Sequence, residues 1–330
     1  MSTRTSSVPS KLSSLLTLGA SLGLLVSLSA CSDDDGGGRF GDTMGDTLGT
    51  SSGTATNTTT TTGETDTEND TDEPMPSGFG QAIEGGTTAS GFSTITLTIG
   101  GAEYKVKTNP WGGAAQTITA GGGSVFTVDF IEHPDGGNPW DVASYPAVYK
   151  GMAYGGEPTA DSGMPIAVGD IAAVYTGMQS NALSMAYQGN ATYDVYFTNA
   201  ADYTGGPPDV YLMVWFDGKG LNPINTPGEG WTCGSNPPTF VESCSSAGSA
   251  TIEGKTFHRF VGPNGNATVI SYVPDTTMGV WEFDLNGFIQ DAVSQGILTP
   301  QMYLQSVQAG FELADAGTGL TIQDFYIDVF

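Results

Sequence analysis

Short runs of alternating apolar and polar residues, separated by Gly, Pro and Asn, fill the chain from residue 83 to residue 330. Alternation with a period of two residues is typical of β-strands. Nine segments follow it, at 94–99, 104–107, 124–131, 191–198, 210–217, 256–261, 268–272, 302–311 and 320–329. One segment has helical spacing, between Asp284, which can cap it, and Gly296, which suits its exit. Many strands and one helix predict an all-β sandwich or jelly roll.

The first 30 residues have the features of an export signal. Arg4 and Lys11 precede an apolar run at 15–28, which is too short to span a membrane. The run ends in Leu28-Ser29-Ala30-Cys31, which resembles the lipobox of bacterial lipoproteins. That resemblance implies that Cys31 is lipidated and that the exported protein is anchored to the cell envelope, at the outer membrane or cell surface, through acyl chains.

Residues 31–82 are rich in Asp, Gly, Thr, Ser and Glu and contain few apolar residues. Such a segment cannot bury enough apolar surface to offset its ordering entropy, so we expect a disordered tether. The folded domain is therefore expected to span 83–330. The net charge of −26, from nine basic and 35 acidic residues, argues against nucleic acid as a partner.

Two further cysteines, Cys233 and Cys244, would be exported with the domain. Export places thiols in an oxidising compartment, so we expect these two to form a disulfide. A zinc site is not expected, because His133 and His258 are the only histidines and no further Cys remains in the domain.

Three of the predicted strands have one face that mixes carboxylate, amide and aromatic side chains. Alternate residues of a strand point to the same face. Sugar binding needs this mixture, because aromatic rings cover C–H faces and polar groups bind hydroxyls. If the three faces share one sheet, they form a polar and aromatic surface. Its residues are Asp194, Tyr196 and Thr198; Asp209, Tyr211, Met213 and Trp215; and Ser306, Gln308, Gly310 and Glu312.

Five motifs follow one another within residues 94–330. They are Asn109-Pro110-Trp111-Gly112, Ser144-Tyr145-Pro146-Ala147-Val148-Tyr149-Lys150-Gly151, Tyr193-Asp194-Val195, Leu212-Met213-Val214-Trp215-Phe216 and Ser306-Val307-Gln308-Ala309-Gly310-Phe311-Glu312. Together they resemble glycoside hydrolase family 12, a group of endo-β-1,4-glucanases and xyloglucanases. The resemblance implies a concanavalin-like jelly-roll sandwich of two curved antiparallel sheets with one short helix. It also implies a long cleft on the concave side.

The same resemblance assigns roles to residues. The family cleaves glycosidic bonds with retention, using two carboxylates about 5–5.5 Å apart. Glu312 lies at the acid/base position, and Asp194 at the position of a carboxylate that supports the nucleophile. The nucleophile position itself holds Tyr211. A phenol has a pKa near 10 and stays protonated at neutral pH, so it is a poor nucleophile toward a neutral sugar.

Three accounts of the site remain open at this point. Asp209, two residues before Tyr211 on the same strand face, could replace the missing nucleophile. Alternatively, Asp194 or Asp209 could act as a general base on water, which gives inversion. In the third account the cleft binds glycan without hydrolysing it, and the protein is a catalytically inactive glycan-binding lipoprotein.

The expected partner is a β-glucan polysaccharide or oligosaccharide. Trp111, Trp215 and Met213 are the candidates for contact with sugar rings, and Asn109 and Gln308 could bind hydroxyls. No metal or organic cofactor is expected, because acid/base and covalent catalysis of glycoside hydrolysis need none. The protein is expected to act as a monomer.

Overall fold

Strands dominate the described part of the chain, and most of them bury at least one face. The computed structural model describes residues 77–111, 114–133, 142–224 and 247–330, all within one compact unit, Asn69–Phe330. Its elements in chain order are β1 (Ile83–Gly85), β2 (Thr88–Ser90), β3 (Thr94–Ile99), β4 (Ala102–Lys107), β5 (Ala115–Gly121), β6 (Ser124–Glu132), β7 (Ala147–Gly151), β8 (Ile166–Ala167), β9 (Val174–Ser180), β10 (Tyr187–Thr198), β11 (Val210–Lys219), β12 (Ser249–Ile252), β13 (Lys255–Asn264), β14 (Ala267–Pro274), β15 (Val280–Asp284), α1 (Asn286–Ser294), β16 (Tyr303–Ala316) and β17 (Thr321–Val329).

The strands form two sheets. The larger has the order β1-β3-β4-β7-β16-β10-β11-β14-β13-β12, with β8 paired to β16, and the smaller has the order β15-β9-β17-β6-β5-β2. All pairs are antiparallel except β11 and β14, which are parallel. The long strands β16, β10 and β11 are neighbours at the centre of the larger sheet, so the three faces predicted from the sequence do share one sheet.

The core lies between the sheets and takes one face of each central strand. Val210, Leu212, Val214 and Phe216 of β11 are all buried in it, as their alternation predicts. The Phe311 ring of β16 meets Phe126 of the smaller sheet edge to face, with ring centroids 5.9 Å apart. Burying each such side chain contributes about 1.5–3 kcal/mol. Because one face of β10, β11 and β16 is packed in the core, the alternate residues of these strands must point to the opposite side of the larger sheet.

The all-β prediction with one helix is confirmed for the described residues. Helix α1 begins just after Asp284, whose Oδ1 accepts the backbone N–H of Asn286 at 2.9 Å, and Gly296 follows its end with φ of 70°. Strand β9 was not predicted, because Gly177 interrupts its short apolar pattern, yet it pairs with both β15 and β17. Its partners lie more than 100 residues away along the chain, which no local pattern reveals.

Some sequence predictions lie outside the described residues. These are the lipidation site Cys31, the tether up to residue 76 and the Cys233–Cys244 disulfide. The last residues assigned to the tether, 77–82, are ordered on the domain: the Ser77 hydroxyl donates to Glu282 at 2.7 Å, and the Phe79 ring meets that of Tyr326 edge to face. Within the described ranges, no helix has both the length and the apolar character needed to cross a bilayer.

Candidate active site

A cleft of about 500 Å³ lies on the side of the larger sheet that faces away from the core. Side chains from the centre of the sheet form its floor, and loop residues form its rim. It is lined by Phe92, Asn109, Pro110, Trp111, Tyr145, Tyr154, Gly155, Asp194, Tyr196, Tyr211, Met213, Asn264, Val269 and Glu312. The cleft therefore combines aromatic rings with two carboxyl groups.

Strand register brings these carboxyl groups into the cleft. Asp194 of β10 lies opposite Met213 of β11, and Tyr196 lies opposite Tyr211. On the other side of β10, Asn190 lies opposite Glu312 of β16. Because residues that pair across neighbouring strands share a face, all six side chains project from the same side of the sheet.

Glu312 is held by one specific contact. The Asn190 side-chain amide donates a hydrogen bond of 2.5 Å to Oε2 of Glu312. Burial raises the pKa of the Glu312 carboxyl to about 7, against the opposing effect of this hydrogen bond. A carboxyl group that keeps its proton close to neutral pH is suited to general acid catalysis.

Asp194 is more deeply buried, with 8% of its surface exposed. Burial and the charge of Glu312 raise the pKa of Asp194 to about 8, while Lys107 and the Tyr196 hydroxyl act in the opposite direction. Its Oδ1 atom accepts no hydrogen bond from the described residues. The charge of Glu312 raises the pKa of Asp194, so the pair loses its two protons in separate steps, and Asp194 keeps its proton to the higher pH.

Tyr211 stands beside this pair. Its ring meets that of Tyr196 edge to face, with centroids 5.1 Å apart. Burial and the charge of Asp194 raise the pKa of the Tyr211 phenol further above its ordinary value near 10. The phenol is therefore protonated at neutral pH and can donate a hydrogen bond into the cleft.

The comparison with known protein families agrees with this geometry. The model of glycosyl hydrolase family 12 matches residues 102–330, which is most of the chain. The chain belongs to glycosyl hydrolase family 12. The jelly-roll sandwich predicted from the motifs is thereby confirmed, since the family 12 structures that it resembles have that fold.

Individual relatives are distant, and two sequence relatives each match less than half of this chain. A protein of Mycobacterium tuberculosis named probable cellulase Cel12b is 28% identical over 49% of this chain and 94% of its own length. Xyloglucan-specific endo-beta-1,4-glucanase A of Aspergillus aculeatus is also 28% identical, but the match spans 41% of this chain and only half of that enzyme. The structure of endoglucanase Cel12A from Rhodothermus marinus has a TM-score of 0.61 at 28% identity, over 74% of this chain and 99% of that one.

The structure places Asp209 outside the cleft, which does not favour the account in which it replaces the family 12 nucleophile. Strand β11 begins at Val210, so Asp209 precedes it. Its Oδ2 accepts the backbone N–H of Asn199 at 2.7 Å, and the residue is exposed outside the cleft. The carboxylate thus stabilises the turn that leads into β11.

Trp111 and Asn109 lie at the rim of the cleft, as the family 12 motif implies. The Trp111 ring is 42% exposed, and its Nε1 donates to the carbonyl of Val142 at 2.7 Å, which fixes its orientation. Asn109 adopts φ of 47°, and its carbonyl accepts the N–H of Tyr145. Met213 lines the floor beside Asp194.

Trp215 and Gln308 point to the predicted side of the sheet but do not line the cleft. Trp215 is 2% exposed and packs with Phe260 and Val273 of the neighbouring strands. Gln308 is fully buried beside Asp194. Direct contact of either side chain with a bound sugar is not supported by this arrangement.

Two exposed aromatic residues at the rim were missed. Tyr154 lies in the loop after β7, and Phe92 lies in the turn between β2 and β3; both line the cleft. In the sequence each is a single aromatic residue next to glycine, and single exposed aromatic residues are common at protein surfaces, so the local sequence gave no signal for the cleft.

Proposed function

We propose that this chain hydrolyses β-1,4-linked glucan, with Glu312 as general acid and Asp194 as general base. The supporting observation is that these two carboxyl groups line one cleft, whereas a protonated phenol occupies the nucleophile position of the family. The relatives named as a cellulase and as a xyloglucan-specific endoglucanase favour the same class of substrate.

The reaction is a single displacement. Glu312 gives its proton to the glycosidic oxygen as the bond from that oxygen to the anomeric carbon breaks. A water molecule attacks the opposite face of the sugar, and Asp194 takes its proton. The new reducing end has the inverted, α configuration. Proton exchange with solvent then returns Glu312 to the acid form and Asp194 to the carboxylate.

Asp194→Asn is expected to lower kcat/KM for glucan by about 10²–10⁴-fold, because Glu312 is the only other carboxyl group among the described residues of the cleft and it serves as the acid. The measurement is release of reducing ends from carboxymethylcellulose, mixed-linkage glucan and xyloglucan by the full chain. Proton NMR of the first product from wild type should show the α anomer.

Asp209→Asn is the matched control, since this exposed carboxylate lies outside the cleft and asparagine can still accept the Asn199 N–H. It should keep wild-type activity within about twofold, as expected for a surface substitution. A large loss in Asp209→Asn with none in Asp194→Asn would reverse the assignment.

Hydrolysis is expected to be fastest between about pH 7 and about pH 8. Below that window both carboxyl groups are protonated and no base remains; above it both are ionised and no acid remains. Within it the pair holds one proton, and hydrolysis proceeds from the form with this proton on Glu312 and the charge on Asp194, which the higher pKa of Asp194 makes the minor form. Initial rates on a soluble β-glucan across the pH range measure this. An optimum near the ordinary pKa values of Asp and Glu, about 4, would contradict the raised values of the pair.

A second candidate function is glycan binding without hydrolysis, which Tyr211 favours because it removes the covalent path of the family. In that case the wild-type chain would release no reducing ends, yet its migration in affinity electrophoresis would be slowed by glucan. Trp111→Ala would restore free migration, because the exposed ring would be lost.

We also propose display of the domain at the cell envelope through lipidated Cys31. The support is the Leu28-Ser29-Ala30-Cys31 sequence and the polar segment that follows it. Mass spectrometry of the N-terminal peptide from membrane fractions tests this: a mature chain that is not acylated would rule it out.

A further inference from the structure

Lys107, the last residue of β4, is buried on the cleft side of the larger sheet. Only 2% of its surface is exposed. It lies opposite Ala147 of β7, which in turn lies opposite Gly310 of β16. Because a methyl group and a hydrogen are the only side chains in its row as far as β16, the lysine chain can extend across them toward β10.

The distances from Nζ show where the Lys107 side chain ends. The ammonium nitrogen is 5.6 Å from the centroid of the Tyr145 ring and 5.8 Å from that of Tyr196, and both rings line the cleft. Among the described residues Nζ has no hydrogen-bond partner, and neither has Oδ1 of Asp194. A buried cation without a counter-charge is strongly destabilising, so a nearby anion is required.

We propose that Lys107 is a positioning residue of the carboxyl pair, whose ammonium group stabilises the form that carries the negative charge on Asp194 and the proton on Glu312. The proposal rests on the proposed acid and base roles, and it adds the group that raises the share of this reactive form. Lys107 does not line the cleft, so it acts through Asp194 and not on the substrate.

The surroundings of the two carboxyl groups are asymmetric. Burial lowers the pKa of Lys107 to about 8, and the charge of Asp194 opposes this. Lys107 in turn lowers the pKa of Asp194, whereas Glu312 receives only the neutral Asn190 amide. The titratable groups that act on Asp194 or respond to its charge are Lys107, Glu312, Tyr145, Tyr196, Tyr203 and Tyr211. Lys107 is the one cation among them, so it favours charge on Asp194.

The test follows the two carboxyl groups directly, by carbon-13 NMR of the side-chain carboxyls against pH in the full chain. Asp194→Asn and Glu312→Gln assign the two resonances. In Lys107→Met the step at which the Asp194 resonance changes should move up by about one pH unit or more, a tenfold change in the ionisation constant.

Lys105→Met is the matched control, because Lys105 lies two residues earlier on the same strand and pairs with the exposed Glu157 at 2.8 Å instead. It should leave both steps unchanged. The proposal is overturned if Lys107→Met leaves the Asp194 step in place. The titration needs no substrate. If the chain hydrolyses nothing, the proposed function is wrong, but the titration still tests whether Lys107 stabilises the charge on Asp194.

The pH profile of hydrolysis gives a second readout in an active chain, since the acid limb should move upward in Lys107→Met. If Lys107→Met does not fold, Lys107→Met combined with Asp194→Asn should recover the midpoint of thermal unfolding, because no unpaired buried carboxylate remains. Failure of the double variant to recover it would show that Lys107 and Asp194 do not interact, and would overturn the proposal.

Discussion

Glu312→Gln is expected to lower kcat/KM for glucan hydrolysis by about 10³-fold while glucan binding persists. Glutamine keeps the size of the side chain and can still accept the Asn190 amide, so the fold and the cleft should be unchanged. What is lost is the proton for the departing oxygen. Because the carboxyl pair then has one member, the alkaline limb of the pH profile should also disappear.

A substrate with a better leaving group distinguishes general acid catalysis by Glu312 from a structural role of this residue. An aryl glycoside whose phenol leaves without protonation should be hydrolysed by Glu312→Gln at a rate much closer to wild type than glucan is. Asp315→Asn, on the same strand but exposed, should leave both substrates unaffected. An equal loss on glucan and on the aryl glycoside would argue against Glu312 as the acid.

Period-two alternation was sufficient to predict that Asp194 and Glu312 each point away from the core. Each lies on a strand whose opposite face is strongly apolar, and burial of that face leaves only one orientation for the carboxyl group. The family motifs supplied the neighbourhood of the strands, which alternation alone does not give. Together, alternation and the family motifs predicted which side chains of the central strands face the cleft.

Exposure was predicted less well, because it depends on residues that pair from far along the chain. Trp215 has the predicted orientation, yet Phe260 and Val273 from β13 and β14 cover it. Asp209 has the right phase for the cleft, but the strand starts one residue later and the Asn199 N–H binds its carboxylate. Neither contact leaves a trace in the local sequence.

The burial of Lys107 also could not be predicted from the local sequence. In the sequence it is one of two lysines in an alternating strand and gives no sign of burial. Its environment arises only when β7 and β16 place Ala147 and Gly310 beside it and β10 brings Asp194 within electrostatic reach. The charge balance of the cleft is thus a property of the assembled sheet.

Tyr211→Glu is expected to change the stereochemistry of the product from the α to the β anomer. The introduced carboxylate would occupy the family's nucleophile position and attack the anomeric carbon while Glu312 protonates the leaving oxygen. Water then hydrolyses the glycosyl ester with Glu312 as base, and two inversions give net retention. We expect kcat to rise about tenfold, which corresponds to about 1.4 kcal/mol off the barrier.

Tyr211→Gln is the matched control, because it has the size of glutamate but no nucleophilic oxygen anion. It should leave the product in the α configuration, and a 2-fluoro glycoside should label Tyr211→Glu covalently but not Tyr211→Gln. If wild type is inert and only Tyr211→Glu hydrolyses glucan, the phenol has converted a family 12 cleft into a binding site. If Tyr211→Glu still releases the α anomer, the introduced carboxylate does not reach the sugar, and the direct attack by water assigned to Asp194 persists.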